Sequence, residues 1–394
     1  MNQTGGVKMS IQKKWFQAIQ KNKIADVYEL IDKDIDVDIT TTDNQTGLML
    51  ASQNGNLEIA RLLVVAGANV NYADDQGFSP LMLADLEATK YLLKAGAEFN
   101  ARLYNGQSVL ITAISTGQIE KAKILIEKGV DINATTDNGL TALISAAHKE
   151  QVDIVELLLD KGTDVNAKDD DNLCALFYAV SYDNVNLLKL LIKHEVLLGQ
   201  KLNENKLALM ITSMNGNLEM TKLLLDNGAD IEIKFKNGET TLRGASQVGQ
   251  LEAVKLLLQY GAEVDSQDII GITPLWAAVE RGHLDVLKCL HAAGANINMP
   301  DENGTSPLQQ AVIKKNLDIV KYLVENGADI NAVNQSGTTA LMHAAYDGGL
   351  EIVKFLLAKG ANPALVDNFD YSAISLAEYH KHVDIADYIR SYQD

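Results

Sequence analysis

Hydrophobic residues fall along this 394-residue chain in short bursts that return in register. A five-residue phrase marks the beat: GANVN at Gly67, GAEFN at Gly96, GVDIN at Gly129, GTDVN at Gly162, GADIE at Gly228, GAEVD at Gly261, GANIN at Gly294, GADIN at Gly327 and GANPA at Gly360. Successive spacings are 29, 33, 33, 66, 33, 33, 33 and 33, so one unit is four residues short and one phrase is missing. A second phrase keeps step with the first: FSPLMLA, LTALISAA, ITPLWAA, TSPLQQA and TTALMHAA. Self-similarity at this period marks a repeat architecture, in which a unit cannot bury its apolar face alone and relies on its neighbours.

Each unit carries the signals of two helices. Thr46, Ser79, Ser108, Thr141, Thr240, Thr273, Ser306, Thr339 and Ser372 stand where a hydroxyl caps the orphan N–H groups of a first helix. Pro80, Pro274 and Pro307 follow at the first helical position, where a missing N–H costs nothing. Two residues before the cap stands Asn44, Gly77, Gly106, Gly139, Asn172, Asn205, Gly238, Gly271, Gly304, Gly337 or Asp370, all types that tolerate positive φ. The turn is expected to need a left-handed residue there, and the glycine opening each five-residue phrase is expected to end the second helix. Second helices carry acid–base pairs three apart, Glu58–Arg61, Glu120–Lys123, Glu219–Lys222, Glu252–Lys255, Asp285–Lys288, Asp318–Lys321 and Glu351–Lys354, with the acid nearer the positive helix end.

These phrases resemble the ankyrin repeat, with its T-P-L-H-x-A-A, G-H-L-E-I-V-K-L-L-L and G-A-D-V-N segments, from about residue 8 to the end. The resemblance implies an all-α solenoid of about 12 helix–turn–helix units with hairpin-like tips, curved into a stack with a concave binding face. The expected organisation is a capping repeat at 8–40, a stack at 41–201, a second stack at 202–366 and a capping repeat at 367–394. Three departures stand out. Unit 74–102 lacks its inter-helix turn, so its helices should be short and the stack bent there. Unit 169–201 is degenerate: Cys174 and then Leu207 stand at cap positions, and EVLLG (Glu195–Gly199) replaces the five-residue phrase, which predicts a weak junction. The family histidine is absent throughout, its place taken by Met49, Met82, Ile111, Ile144, Phe177, Met210, Arg243, Trp276, Gln309, Met342 and Ser375. Apolar packing by adaptable Met is expected to replace most of its inter-repeat hydrogen bonds.

Composition narrows the function. A net charge of −18 disfavours nucleic acid and suits a basic protein partner. Neither an export signal nor a long apolar run is evident, and two cysteines make no disulfide framework, so a cytoplasmic monomer is expected, in its own cell or delivered into a host cytosol. Phosphate-loop, dinucleotide and zinc-protease motifs are missing. His283 belongs to a turn, His380 and His382 lack zinc-ligand company, Cys289 suits packing, Cys174 is a weak candidate for a reactive thiol, and the run KDDDN (Lys168–Asn172) lacks calcium-loop spacing. No catalytic residue, cofactor or metal is therefore expected. An enzyme with an unrecognised site near 169–210 is the distant alternative.

Carried over by position, the family's binding face presents Ile269, Ile270, Ile272 and Arg281, with Trp276 close by. Ile313, Tyr346, Phe369 and Tyr371 follow downstream, and Phe78, Tyr104 and Tyr182 stand upstream. Large apolar side chains exposed together are unfavourable unless covered, and such anchors are what interfaces use. The expectation is a non-enzymatic scaffold binding a protein on this face. The alternatives are an acidic inhibitor or immunity protein covering the basic site of a nuclease or toxin, and a host-directed bacterial effector.

Overall fold

The structure, a computed structural model, describes residues 3–199, 207–235 and 237–393. Among these residues the chain forms 24 α-helices in twelve consecutive pairs, with no strand beyond isolated bridges such as Thr40–Thr46 and Val366–Ser372 that close the tips. A typical pair is Pro274–Arg281 followed by Leu284–Ala292. Core side chains come from both helices of a pair, as with Leu48, Leu50, Ile59 and Leu63, and pack against the same columns of neighbouring pairs. This is the expected all-α solenoid.

The local chemistry read from the sequence is present. All nine expected hydroxyls accept the backbone N–H three residues on, as Thr273 does from Trp276. Cys174 and Leu207 begin helices without a side-chain cap. Every described member of the turn column has positive φ, between 55° at Asn44 and 87° at Gly77; Asn205 lies outside the described residues. At Gly271 the demand is double, because φ is 79° and an added Cβ would stand 2.7 Å from the backbone nitrogen of Glu302 in the next tip. Asp34 and Glu195 occupy the phrase-glycine position and still take φ of 60° and 61°. The helical pairs Glu58–Arg61, Glu120–Lys123, Glu252–Lys255 and Glu351–Lys354 form at 2.6–3.3 Å, whereas Lys288 lies over the Tyr322 ring.

The last residue of the phrase has a task the pattern alone did not reveal. Its side chain accepts the N–H of the third phrase residue in the next repeat: Asn71 from Glu98, Asn100 from Asp131, Asp265 from Asn296, Asn298 from Asp329 and Asn331 from Asn362, at 2.8–3.1 Å. These bonds tie neighbouring phrases together within each stretch of regular repeats.

In the shortened repeat the first helix is only Pro80–Leu83; Ala84 turns extended, and Asp85 at once caps Leu86–Lys94 by accepting from Ala88 at 2.8 Å. So abrupt an ending leaves carbonyls without helical partners. Lys121, from the second helix of the next repeat, reaches back and donates to the carbonyls of Met82 at 3.0 Å and Ala84 at 2.7 Å. The lysine is buried, in a column held by Ile59, Ile154 and Met220 in other repeats. One repeat's deletion is thus compensated by a polar residue in its neighbour's core.

By its internal contacts the chain separates into two compact units, Met1–Val196 and Leu197–Asp394. The expected weak junction spans residues 195–207, and 200–206 of it lie outside the described residues. At the seam position of that repeat stands Gly199, which has no side-chain acceptor to offer. In a stack, stability is roughly a sum of unit and interface terms, so a weakened interface lets each side unfold separately. Urea unfolding followed by circular dichroism and by tryptophan fluorescence is expected to give non-coincident curves, because Trp15 and Trp276 lie in different units. One sharp transition common to both probes would refute the junction.

Candidate functional site

The tips are built alike. In the tip Asp268–Ile272, the carboxylate Oδ1 of Asp268 accepts the N–H groups of Ile270 at 3.0 Å and Ile272 at 2.9 Å, and its backbone N–H donates to the carbonyl of Ile272. Asp301, Asn334 and Asp367 hold their own tips in the same way. Backbone bonds then join each tip to the next: Ile269 donates to Asn237, Glu302 to Ile270, Gln335 to Asn303 and Asn368 to Ser336, at 2.9–3.0 Å. In the tip Asp268–Ile272 the second and third residues project outward, and the fifth, just before the helix cap, folds back beneath them, whereas Tyr371 at the same place in the terminal tip stays exposed.

That geometry divides the isoleucines. Ile269 and Ile270 are 69% and 44% exposed, whereas Ile272 is 4% exposed and packs with Trp276, itself 6% exposed, and Ala277. The expectation that Ile272 and Trp276 face a partner is therefore corrected: both belong to the core. Tyr104 on its tip, Arg281, Ile313, Tyr346, Phe369, Tyr371 and Tyr182 are exposed, and Phe78 is half-buried because it occupies the folded-back position. Tyr346 lies against His380 with ring centroids 3.9 Å apart, and Tyr379 is 75% exposed beside them. In the N-terminal unit Tyr182 pairs its hydroxyl with His148 Nδ1 at 3.0 Å, next to Tyr178.

The column of the missing family histidine behaves differently from the expectation that apolar packing replaces it. Met49, Met82, Ile111, Ile144 and Met210 are buried and apolar, as expected, but three consecutive repeats restore inter-repeat polar bonds. Arg243 Nε meets Asp268 Oδ2 at 3.1 Å, Trp276 Nε1 donates to the carbonyl of Thr305 at 3.2 Å, and Gln309 Nε2 donates to those of Ala332 and Thr338 at 3.1 and 2.6 Å. Arg243 also pairs with Glu239 at 2.6 Å, so one nearly buried guanidinium holds two carboxylates and fixes the tip that carries Ile269 and Ile270.

Cys174 is buried, and burial raises its thiol pKa, which suits a packed side chain and not a nucleophile. Cys289 is partly exposed, with its thiol likewise pushed up by burial. No helix among the described residues is long and apolar enough to cross a membrane.

Comparison with known proteins agrees with this architecture. A family model for ankyrin repeats in three copies matches residues 15–102, 85–169, 176–268 and 242–334, and a second, for ankyrin repeats in many copies, matches 323–377. The chain is also 36% identical over 97 residues to the ankyrin repeat and SAM domain-containing protein 6 of Rattus norvegicus. That stretch is 23% of this chain and 11% of the relative, so most of the rat protein has no counterpart here. Matched from residue 15 to residue 377 apart from a short gap at 170–175, the chain belongs to the ankyrin-repeat family.

Proposed function

We propose that the protein is a non-enzymatic scaffold that binds another protein through its tips and the exposed ends of its first helices, chiefly in the C-terminal unit. The observation that carries this reading is the run of outward apolar side chains on successive repeats: Ile269, Ile270, Ile313, Tyr346, Phe369, Tyr371 and Tyr379. The tips are already fixed by their own hydrogen bonds, so little order is lost when a partner covers them. The anchors are Ile269 and Ile270; Ile272 and Trp276 support them from beneath.

The test uses substitutions two residues apart. Ile269→Asp with Ile270→Asp should leave thermal melting nearly unchanged, since surface changes alter stability by about 0.5 kcal/mol or less. Partner affinity should fall by about 2 kcal/mol, on the order of thirtyfold. Ile272→Asp should instead lower the melting temperature sharply, because it places a carboxylate against Trp276. Affinity capture with the wild type and the double variant, alongside a control changed at Glu252 and Glu351 on second helices, reads out the binding. Equal capture by all three proteins would sink the proposal. The acidic-inhibitor alternative rests on the net charge of −18 and is separated by salt. Apolar anchoring predicts at most about a threefold loss of affinity between about 0.1 and 0.5 M NaCl, whereas contact dominated by charge predicts tenfold or more.

A further inference from the structure

The deletion in repeat 74–102 leaves a vacancy as well as the two carbonyls that Lys121 satisfies. Elsewhere a long polar residue just before a second helix reaches back to a main-chain carbonyl near the end of the preceding repeat's first helix. Gln151 donates to Ile114 at 2.9 Å and Gln250 to Met214 at 3.0 Å, and the ring Nε2 of His283 and of His382 meets the carbonyls of Gln247 and Tyr346, each at 3.1 Å. Gln118 holds this place in the repeat that follows the deletion. The helix it would reach ends at Leu83, and the carbonyls there, of Met82 and Ala84, are taken by Lys121. Gln118 Nε2 therefore has no acceptor among the described residues.

Where the missing turn would lie, an open cavity of about 400 Å³ is lined by Asp85, Leu86, Gln118, Ile119, Glu120 and Lys121. Gln118 is half-buried; its Oε1 is enclosed, as is that of Gln151, whereas Nε2 is not. The helix Ile119–Glu127 begins at the same opening without a side-chain cap, and so brings its positive end there. These groups call for an acceptor. An anion is disfavoured, because the exposed carboxylates of Asp85 and Glu120 stand at the rim and the one cation in the lining, Lys121, is buried and committed to its two carbonyls. The acceptor that fits is a neutral carbonyl, the group that Gln151 and Gln250 bind in their own repeats.

We propose that this notch is a second protein-binding surface, which takes an uncharged polar turn of a partner and pairs one of its main-chain carbonyls with Gln118 Nε2. The partner then supplies in trans the turn that this repeat lacks. The column geometry is already set for such a carbonyl, so little order is lost on docking. The surface lies in the N-terminal unit and does not depend on the isoleucine tips of the other unit.

The full-length protein, labelled with ¹⁵N, is titrated with the acetylated and amidated tetrapeptide Ser-Thr-Gly-Gln, the turn that the next repeat carries at 115–118, and separately with sodium acetate. The expected result is a saturable shift of the Gln118 side-chain amide, with the peptide binding about fivefold or more tighter than acetate. Gln118→Met identifies that resonance by its loss, and should weaken the peptide about fivefold, equivalent to about one hydrogen bond, as read from the backbone amide of Ile119. Acetate binding as tightly as the peptide, no saturable shift, or full affinity in Gln118→Met overturns the proposal. A Gln118 shift that follows protein concentration without peptide would assign the notch to a second copy of this chain and likewise overturn it. The wild-type comparison of peptide and acetate decides should Gln118→Met fail to fold. Neither probe involves Ile269 or Ile270, so failure here and failure of the isoleucine test are read separately.

Discussion

Replacing Lys121 with methionine is expected to destabilise the N-terminal unit by about 3 kcal/mol at neutral pH, although the substitution looks conservative for a core position. The carbonyls of Met82 and Ala84 both receive the Lys121 amine, and without it two buried acceptors have no replacement donor. The effect should also depend on pH in a way packing does not. Burial holds the amine at about 8, below its ordinary 10.5, with Asp85 opposing the shift. Between these values the unfolded chain binds the proton that the folded chain has released, so the contribution of this group to stability rises with pH across that window. Below about 8 the penalty for burying the charged amine is present in full; above about 10.5 it is gone. Urea unfolding of the wild type and Lys121→Met at about pH 7.5 and about pH 10 should therefore show a larger gap at the higher pH. A gap that is small and constant would mean that the carbonyls are satisfied by other means.

Much of the fold was legible because its signals are local. A hydroxyl cap, a proline at the first helical turn and a residue with positive φ act within a few positions of themselves, and the 33-residue beat repeats them until the pattern is unmistakable. The features that escaped the reading are those that act between repeats. Lys121 looks out of place in its column and is explained only by a deletion in the preceding repeat. Arg243, Trp276 and Gln309 read as losses of a histidine, yet Trp276 and Gln309 donate to the next repeat and Arg243 meets its carboxylate as an ion pair. Ile272 looks exposed by its place beside Gly271 in the tip, and is covered because it turns inward onto Trp276 and Ala277. The clue lay in its own column, where Phe78, Leu140 and Leu173 also stand and are partly covered, although Tyr371 at the same place in the terminal repeat stays exposed. For the candidate site, the outward positions were legible from repeat register, while the division between anchor and support needed the tip's hydrogen bonds.

The second large effect is expected at Arg243, and its cause separates charge from packing. The side chain is 11% exposed and faces Glu239 and Asp268, whose side chains are 17% and 2% exposed. Arg243→Met keeps the volume and the apolar stem but leaves two carboxylates buried without a cation. Breaking a buried pair from one side costs about 3–5 kcal/mol, so the C-terminal unit should lose stability on that scale. Asp268 cannot relax away, because its Oδ1 is committed to the N–H groups of Ile270 and Ile272. If stranded charge is the cause, adding Asp268→Asn should recover a substantial part of the loss. An asparagine oxygen can still accept both tip N–H groups, and the uncompensated carboxylate is gone. Alone, Asp268→Asn should be destabilising, since Arg243 then loses one of its two counter-charges. The double-mutant cycle therefore predicts a strongly favourable coupling between the two changes, measured as urea midpoints of the C-terminal unit. Additive losses would locate the effect in packing around Trp276. Partner affinity should follow the same order, because the tip bearing Ile269 and Ile270 is held in place by this ion pair.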